Sequence, residues 1–234
     1  MSSKLPELLA VHELSGGYGD IKVVNGISTR VNAGEVVFIT GRNGVGKSTI
    51  AKLIAGHLPL ASGRVMVCDR DVSALPAHGR RHLGLGYAPQ EDVIFSELTV
   101  IENLTLSFPN RSLDRYRSLF ERFPFLRGRL TQKAGTLSGG EKKVLSFCRA
   151  IAENTKLVVL DEPTEGVQPE NIATMSAVVR RLTERGRGFL IVEQNLNLIR
   201  ETANRVHVLD HGRIVFESLN RPGLRDALIS RLRL

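Results

Sequence analysis

With 234 residues, 42% of them hydrophobic and 24% charged, the chain can bury a sizeable core, as one large α/β domain or as one domain with an inserted lobe. No apolar run approaches the roughly eighteen residues that cross a bilayer, and the opening MSSKLPELLAVHELSGG has neither a signal-peptide core nor a small-residue cleavage site. The net charge of +8 fits a nucleic-acid partner, an anionic membrane surface or a solvated basic face, and does not choose among them. Cys68 and Cys148 form no Cys-x-x-Cys pair and read as reduced thiols of a cytosolic fold.

In chain order, short strands are predicted at LLAVHEL, IKVVNGIST and EVVFIT; the last runs into a glycine loop, and TIAKLIAG follows with helical spacing. Strands return at RVMV and GLGYA, and from about residue 99 to 155 the pattern turns helical through TVIENLTL, DRYRSLFERF and EKKVLSFCRAIAEN. LVVLDE is a buried-strand run, PENIATMSAVVRRLTERG a helix, GFLIVEQ a strand and NLNLIRETAN a further helix. VHVLD and RIVFES suggest a closing hairpin around His211-Gly212. The expected fold is α/β: a parallel core sheet with added N-terminal antiparallel strands and a helical lobe inserted in the middle.

GRNGVGKST, residues 41–49, follows an apolar strand and opens an apolar-faced helix, the context that a phosphate-binding P-loop requires. Gly41, Gly44 and Gly46 let backbone N–H groups turn inward, and the helix aims its positive end at the same point. Lys47 is expected to hold the β/γ-phosphates and Ser48 to place its hydroxyl on Mg²⁺. Asn43 and Thr49 complete the nucleotide-binding set within the loop. LVVLDE then supplies two acids at a strand end: Asp161 for Mg²⁺, and Glu162 to polarise an attacking water.

A second loop, LSGGE at 137–141, has a local explanation as a capping box, Ser138-x-x-Glu141. Two glycines inside the cap are costly if capping is the only need. Gly139 and Gly140 would let another molecule approach the backbone at a positive helix end, but the loop has no lysine or metal ligand of its own. Ser138, Gly139, Gly140 and Glu141 therefore look like half of a site.

Together GRNGVGKST, LSGGE and LVVLDE, in this order and spacing, resemble the nucleotide-binding subunits of ABC transporters over almost the whole chain. The resemblance implies a P-loop ATPase core at 1–90 and 156–234, a helical signature lobe at 91–155, and ATP and Mg²⁺ as ligands. It implies head-to-tail pairing, each ATP lying between one subunit's P-loop and the other's signature, in a homodimer or with a related ATPase. It further implies membrane permease partners, an extracytoplasmic solute-binding protein in the complete system, and a cytoplasmic location, peripheral on the inner face of the cell membrane. Tyr18 resembles the residue that stacks on adenine, and Gln90 the glutamine that senses Mg²⁺ and water. EDVIFSELTVIENL, which follows Gln90, resembles the region that receives a coupling helix, with Ile94, Phe95 and Leu98 shared between that role and lobe packing.

Two positions depart from the common pattern. Gln168 stands where many members carry an aspartate, and Gln194 where many carry a histidine near the γ-phosphate. A neutral amide still donates a hydrogen bond but does not titrate near neutrality, so Gln194 is expected to act as an uncharged phosphate sensor. With IFSELTVIENL, these departures resemble the ATPases of branched-chain amino-acid importers and their urea/amide relatives. The alternatives are a lipopolysaccharide-export ATPase, a non-transport ABC ATPase acting on nucleic acid or ribosomes, and a module that holds ATP without hydrolysing it. A nucleic-acid role is disfavoured by the absence of a sustained heptad insert and of a second motif set.

Overall fold

The computed structural model describes residues 5–91, 94–220 and 222–232. Two long strands, β1 (Glu7–Tyr18) and β2 (Ile21–Asn32), lead into β3 (Val36–Gly41), the P-loop and α1 (Lys47–Ala55). Then come β4 (Leu60–Val67), β5 (Arg70–Asp71), α2 (Ala77–His82) and β6 (Leu85–Ala88). A helical stretch follows: α3 (Val100–Thr105), α4 (Arg117–Arg122), α5 (Pro124–Gly128) and α6 (Gly139–Ala152). The chain returns through β7 (Leu157–Asp161), α7 (Pro169–Thr183), β8 (Gly188–Val192), α8 (Leu196–Thr202), β9 (Arg205–Asp210), β10 (Arg213–Leu219) and α9 (Leu224–Leu232).

Strands β2-β1-β4-β5 form an antiparallel sheet, and β10-β9-β3-β8-β7-β6 form a second sheet whose last five strands run parallel. The unbroken apolar runs of β3, β7 and β8 follow from burial on both faces. Val37, Ile39, Val159 and Leu190 point toward the antiparallel sheet and toward Ile50, Leu53 and Ile54 of α1. Their neighbours Phe38, Val158, Leu160 and Phe189 point the other way, into a core shared with α6, α7 and α8. Each strand thus serves two cores with alternate side chains. The parallel strands end together, which sets the P-loop after β3 beside the acids after β7.

DRYRSLFERF, predicted as one helix, is broken: a 3₁₀ turn at Asp114–Tyr116 leads into α4, and Pro124 starts α5. Proline pushes its predecessor out of the helical region, and Phe123 sits at φ −124°, ψ 69°. The hairpin at His211-Gly212 forms as expected, with both residues at positive φ. The short elements β5 and α2 and the terminal α9 had no expectation. Cys68 and Cys148 are free thiols. Among the described residues no helix is long and apolar enough to cross a membrane.

Candidate nucleotide site

The P-loop wraps the start of α1, whose preceding residue, Gly46, adopts φ 104°. The three glycines serve different ends. A Cβ on Gly44 would meet nothing within 4 Å, so its side faces open space, as a ligand cradle requires. A Cβ on Gly41 would lie 2.4 Å from the carbonyl of Leu209, so that glycine is needed for close packing on β9. The Lys47 ammonium donates to the Arg42 carbonyl at 3.0 Å and lies 3.4 Å from Glu162 Oε1, its side chain only 3% exposed.

Three segments meet at Ser48. Its hydroxyl lies 2.9 Å from Asp161 Oδ1 and 3.1 Å from Gln90 Oε1. The Gln90 amide in turn donates to Glu162 Oε2 at 2.7 Å, with Glu165 at 3.4 Å. Gln194 donates to Asn43 Oδ1 and lies 3.5 Å from Glu162 Oε1. Ser48, Asp161 and Gln90 make an all-oxygen set, the donor chemistry that suits Mg²⁺. Burial pushes the Asp161 carboxyl up to about 6, the adjacent Glu162 adding to the shift and the Ser48 hydrogen bond opposing it. A bound cation would reverse that balance and hold Asp161 ionised.

Glu162 itself is strained. It sits at φ 45°, a left-handed conformation unusual for a non-glycine residue. Its amide donates to the Val192 carbonyl at 2.9 Å, while Gln90 and Lys47 hold its side chain. Just after β8, buried Glu193 accepts from the Thr164 hydroxyl at 2.8 Å, and burial raises its carboxyl. The loop after β7 and the loop after β8 are thereby joined.

Tyr18 ends β1 with 47% of its surface exposed, and the Lys52 ammonium lies 3.4 Å from its hydroxyl. Tyr18, Asn43, Gly44, Lys47, Thr49 and Glu162 are among the residues lining a cleft of about 480 Å³.

Ser138–Glu141 lies elsewhere, on a second cleft of about 760 Å³ shared with Gly166, Gln168 and Asn171. The capping box forms: Ser138 Oγ accepts from the Glu141 amide at 3.3 Å, and Glu141 Oε2 from the Ser138 amide at 2.9 Å. Glu141 also takes Arg129 at 2.7 Å, so its carboxylate is already committed within the chain. The glycines divide here too. Gly139 faces open space, whereas a Cβ on Gly140 would come within 2.4 Å of the Gly166 carbonyl. Gly140 thus has a packing reason of its own, since its small size lets its own chain's 165–168 loop pack against it.

In the region after Gln90, Asp92 and Val93 lie outside the described residues; Ile94 and Leu98 are half-buried, and Phe95 is 53% exposed. Three residues near the site had no expectation. The Tyr87 hydroxyl lies 3.5 Å from Asp161 Oδ2, and Glu165 lines the P-loop cleft. Lys143 reaches from α6 to the main chain of Gln90 and Glu162. A lysine within EKK on an amphipathic helix reads as solvent-facing, and no local signal marks it otherwise.

Comparison with known proteins places the family and the fold. The family profile described as "ABC transporter" matches residues 24–165. The high-affinity branched-chain amino acid transport ATP-binding protein BraG of Pseudomonas aeruginosa is 34% identical over 231 residues, covering 95% of this chain and 99% of that protein. The lipopolysaccharide export system ATP-binding protein LptB of Escherichia coli is also 34% identical, over 234 residues, covering 96% of this chain and 95% of that protein. A solved nucleotide-free ATP-binding cassette from an ABC transporter superposes with a TM-score of 0.84 at 28% identity, covering 97% of this chain and 99% of that one. A motif set, a fold and full-length relatives that all agree leave one conclusion: the chain belongs to the ABC transporter family, as an ATP-hydrolysing, ATP-binding subunit.

Proposed function

We propose that this ATPase powers the uptake of branched-chain amino acids, or of a related amino acid or amide, through a separate membrane permease. The observation that carries the catalytic part is the convergence of Lys47, Ser48, Gln90, Asp161, Glu162 and Gln194 from separate segments of the chain. In this reading the Lys47 ammonium and the P-loop amides hold the β/γ-phosphates. Tyr18 offers its ring face to the adenine. Ser48, Asp161 and Gln90 would hold Mg²⁺, which supplies charge neutralisation on the phosphate oxygens. Glu162 takes the proton of the attacking water, and Gln194 donates an uncharged hydrogen bond to the γ-phosphate.

A second copy or a related ATPase completes the site by presenting its own Ser138–Gly140 turn and helix end. The segment after Gln90, within the helical span 91–155, receives the permease, so closure of the pair reaches the membrane. The chain then works from the cytoplasmic side, with an extracytoplasmic solute-binding protein in the complete system.

Gln194 in place of the usual histidine, together with the similarity to BraG, supports the importer. The equal identity to LptB supports a second reading, an ATPase for lipopolysaccharide-type export. The test is to identify what co-purifies with the tagged chain from detergent-solubilised native membranes. A multi-spanning permease with a second, related ATPase is expected. Lipid-export permeases with this ATPase alone would establish the second reading, and ribosomes or DNA without a permease would overturn both.

A further inference from the structure

Ser138 and the first turns of α6 line the outer cleft, Gly139, Gly140 and Lys143 included. Gly140 also packs against the 165–168 loop, and the Lys143 ammonium reaches from this cleft wall to the main chain of Gln90 and Glu162. The Lys143 side chain is only 11% exposed. Its ammonium donates to the main-chain carbonyl of Gln90 at 2.7 Å and to that of Glu162 at 3.1 Å, with the Glu165 carboxylate 3.7 Å away. Of the three donors of a lysine ammonium, two go to these carbonyls, and the Glu165 carboxylate lies beside it as an ion-pair partner. Withdrawing such a charge from water is costly unless hydrogen bonds replace the lost solvation, so the geometry here is fixed rather than incidental.

What it fixes is the main chain of two residues whose side chains touch each other. Glu162 sits at φ 45° with its amide bound to Val192, and its carbonyl is held by Lys143. Gln90 presents its carbonyl to Lys143 and its side-chain amide to Glu162 Oε2. We infer that Lys143 is a positioning residue that transmits the placement of α6 to this subunit's own hydrolytic centre. The inference rests on the proposed reading of Glu162 as base and of the α6 start as the half-site offered to a neighbouring ATPase. On that reading, one helix touches the neighbour's nucleotide with its end and sets its own subunit's base with a side chain two residues beyond Glu141. Engagement of one site thereby adjusts the geometry of the other.

The test is steady-state phosphate release from Mg-ATP by the full-length chain carrying Lys143→Met, Lys143→Arg or Glu162→Gln. Lys143→Met is expected to lower kcat by about tenfold or more with KM and equilibrium ATP affinity within about threefold, because an interaction that only places the base acts on the chemical step. Lys143→Arg, which keeps the donors, is expected to recover most of the rate. An unchanged kcat in Lys143→Met overturns the inference. So does a joint fall of kcat, ATP affinity and Tm that Lys143→Arg does not rescue, which would make Lys143 a packing residue. Should Lys143→Met fail to fold, Lys143→Gln is read in the same way, and failure of both to fold also overturns it. Glu162→Gln separates the two readings: if it retains turnover, the assignment of the base is wrong whatever Lys143 does.

Discussion

The side-chain amide of Gln90 donates to Glu162 Oε2 at 2.7 Å, while the carbonyl oxygen of the same amide lies 3.1 Å from the Ser48 hydroxyl. One glutamine therefore spans the candidate metal ligands and the candidate base, and any shift of the segment after β6 is felt at both. Glu162 is held on three sides, by Gln90, by Lys47 at 3.4 Å and by Gln194 at 3.5 Å.

Replacing Glu162 by glutamine keeps this shape and removes the proton acceptor. The expected result is nucleotide affinity within a few-fold of wild type and a hydrolysis rate lower by about 10²–10⁴-fold, the usual worth of a general base. Phosphate release and equilibrium binding measured on the same preparation check it. Near-normal hydrolysis would move the base elsewhere.

The two signature glycines should behave differently. Gly140→Ala forces a methyl group to 2.4 Å from the Gly166 carbonyl and should destabilise the fold by about 1–3 kcal/mol, as overpacking does. Gly139→Ala meets no atom within 4 Å and should leave stability unchanged or slightly raised, losing activity only through the paired site. Denaturant unfolding of both variants, beside their ATPase rates, distinguishes the positions. Equal destabilisation would contradict the packing described here.

At position 194 the prediction concerns pH. Wild-type Gln194 cannot titrate, so it contributes no pH limb near neutrality. Gln194→His places an imidazole close to Glu162; its protonation below about pH 6.5 pairs it with that carboxylate and weakens the base. The variant's kcat should therefore fall on acidification with a midpoint near that value, and the wild-type profile should lack this limb. Gln194→Ala should lower kcat at every pH, and a pH–rate series on the three proteins would show it.

On β9, paired with Ile39 of β3, His207 sets an acid limit on stability. It is 1% exposed, with Nε2 2.9 Å from the Thr29 hydroxyl and Nδ1 facing Glu217 at 3.6 Å. Burial lowers it to about 4; Arg205 acts in the same direction, while Glu217 and Glu35 oppose it. The unfolded histidine takes up its proton near pH 6.5, well above the folded one. Stability from this group is thus complete above about pH 6.5 and is lost as pH falls toward 4. Asp161, raised by burial to about 6, has the opposite slope, its contribution falling as pH rises through its window. Thermal unfolding of wild type and His207→Gln from pH 4 to 7 isolates the histidine: the variant should show a shallower loss on acidification. Identical slopes would remove His207 from the account.

Much of the fold was legible in the sequence because its signals are local. The runs of β3, β7 and β8 are apolar on both faces only where a sheet is covered twice. Ser138 and Glu141 form their capping box within four residues, and Thr99 and Glu102 form another by the same rule, one that could have been read from its Thr-x-x-Glu spacing. The end of the helix at Phe123 could likewise have been seen from Pro124, whereas nothing local marks the 3₁₀ turn at Asp114–Tyr116. Short elements such as β5 carry too few residues for periodicity to register.

By itself, then, the sequence determined the strand–loop–helix context of the P-loop, the acids ending β7 and the capped glycine turn, since each depends on neighbours along the chain. Tertiary structure alone decided which of these groups touch. It brought Ser48 to Asp161 across 113 residues and turned Lys143 from an ordinary helix lysine into a half-buried donor. It also gave Gly41 and Gly140 their reason, the carbonyls of Leu209 and Gly166 lying where a side chain would stand. Side-chain partnership and steric exclusion are properties of distance in space, and local composition does not encode distances between segments far apart in sequence.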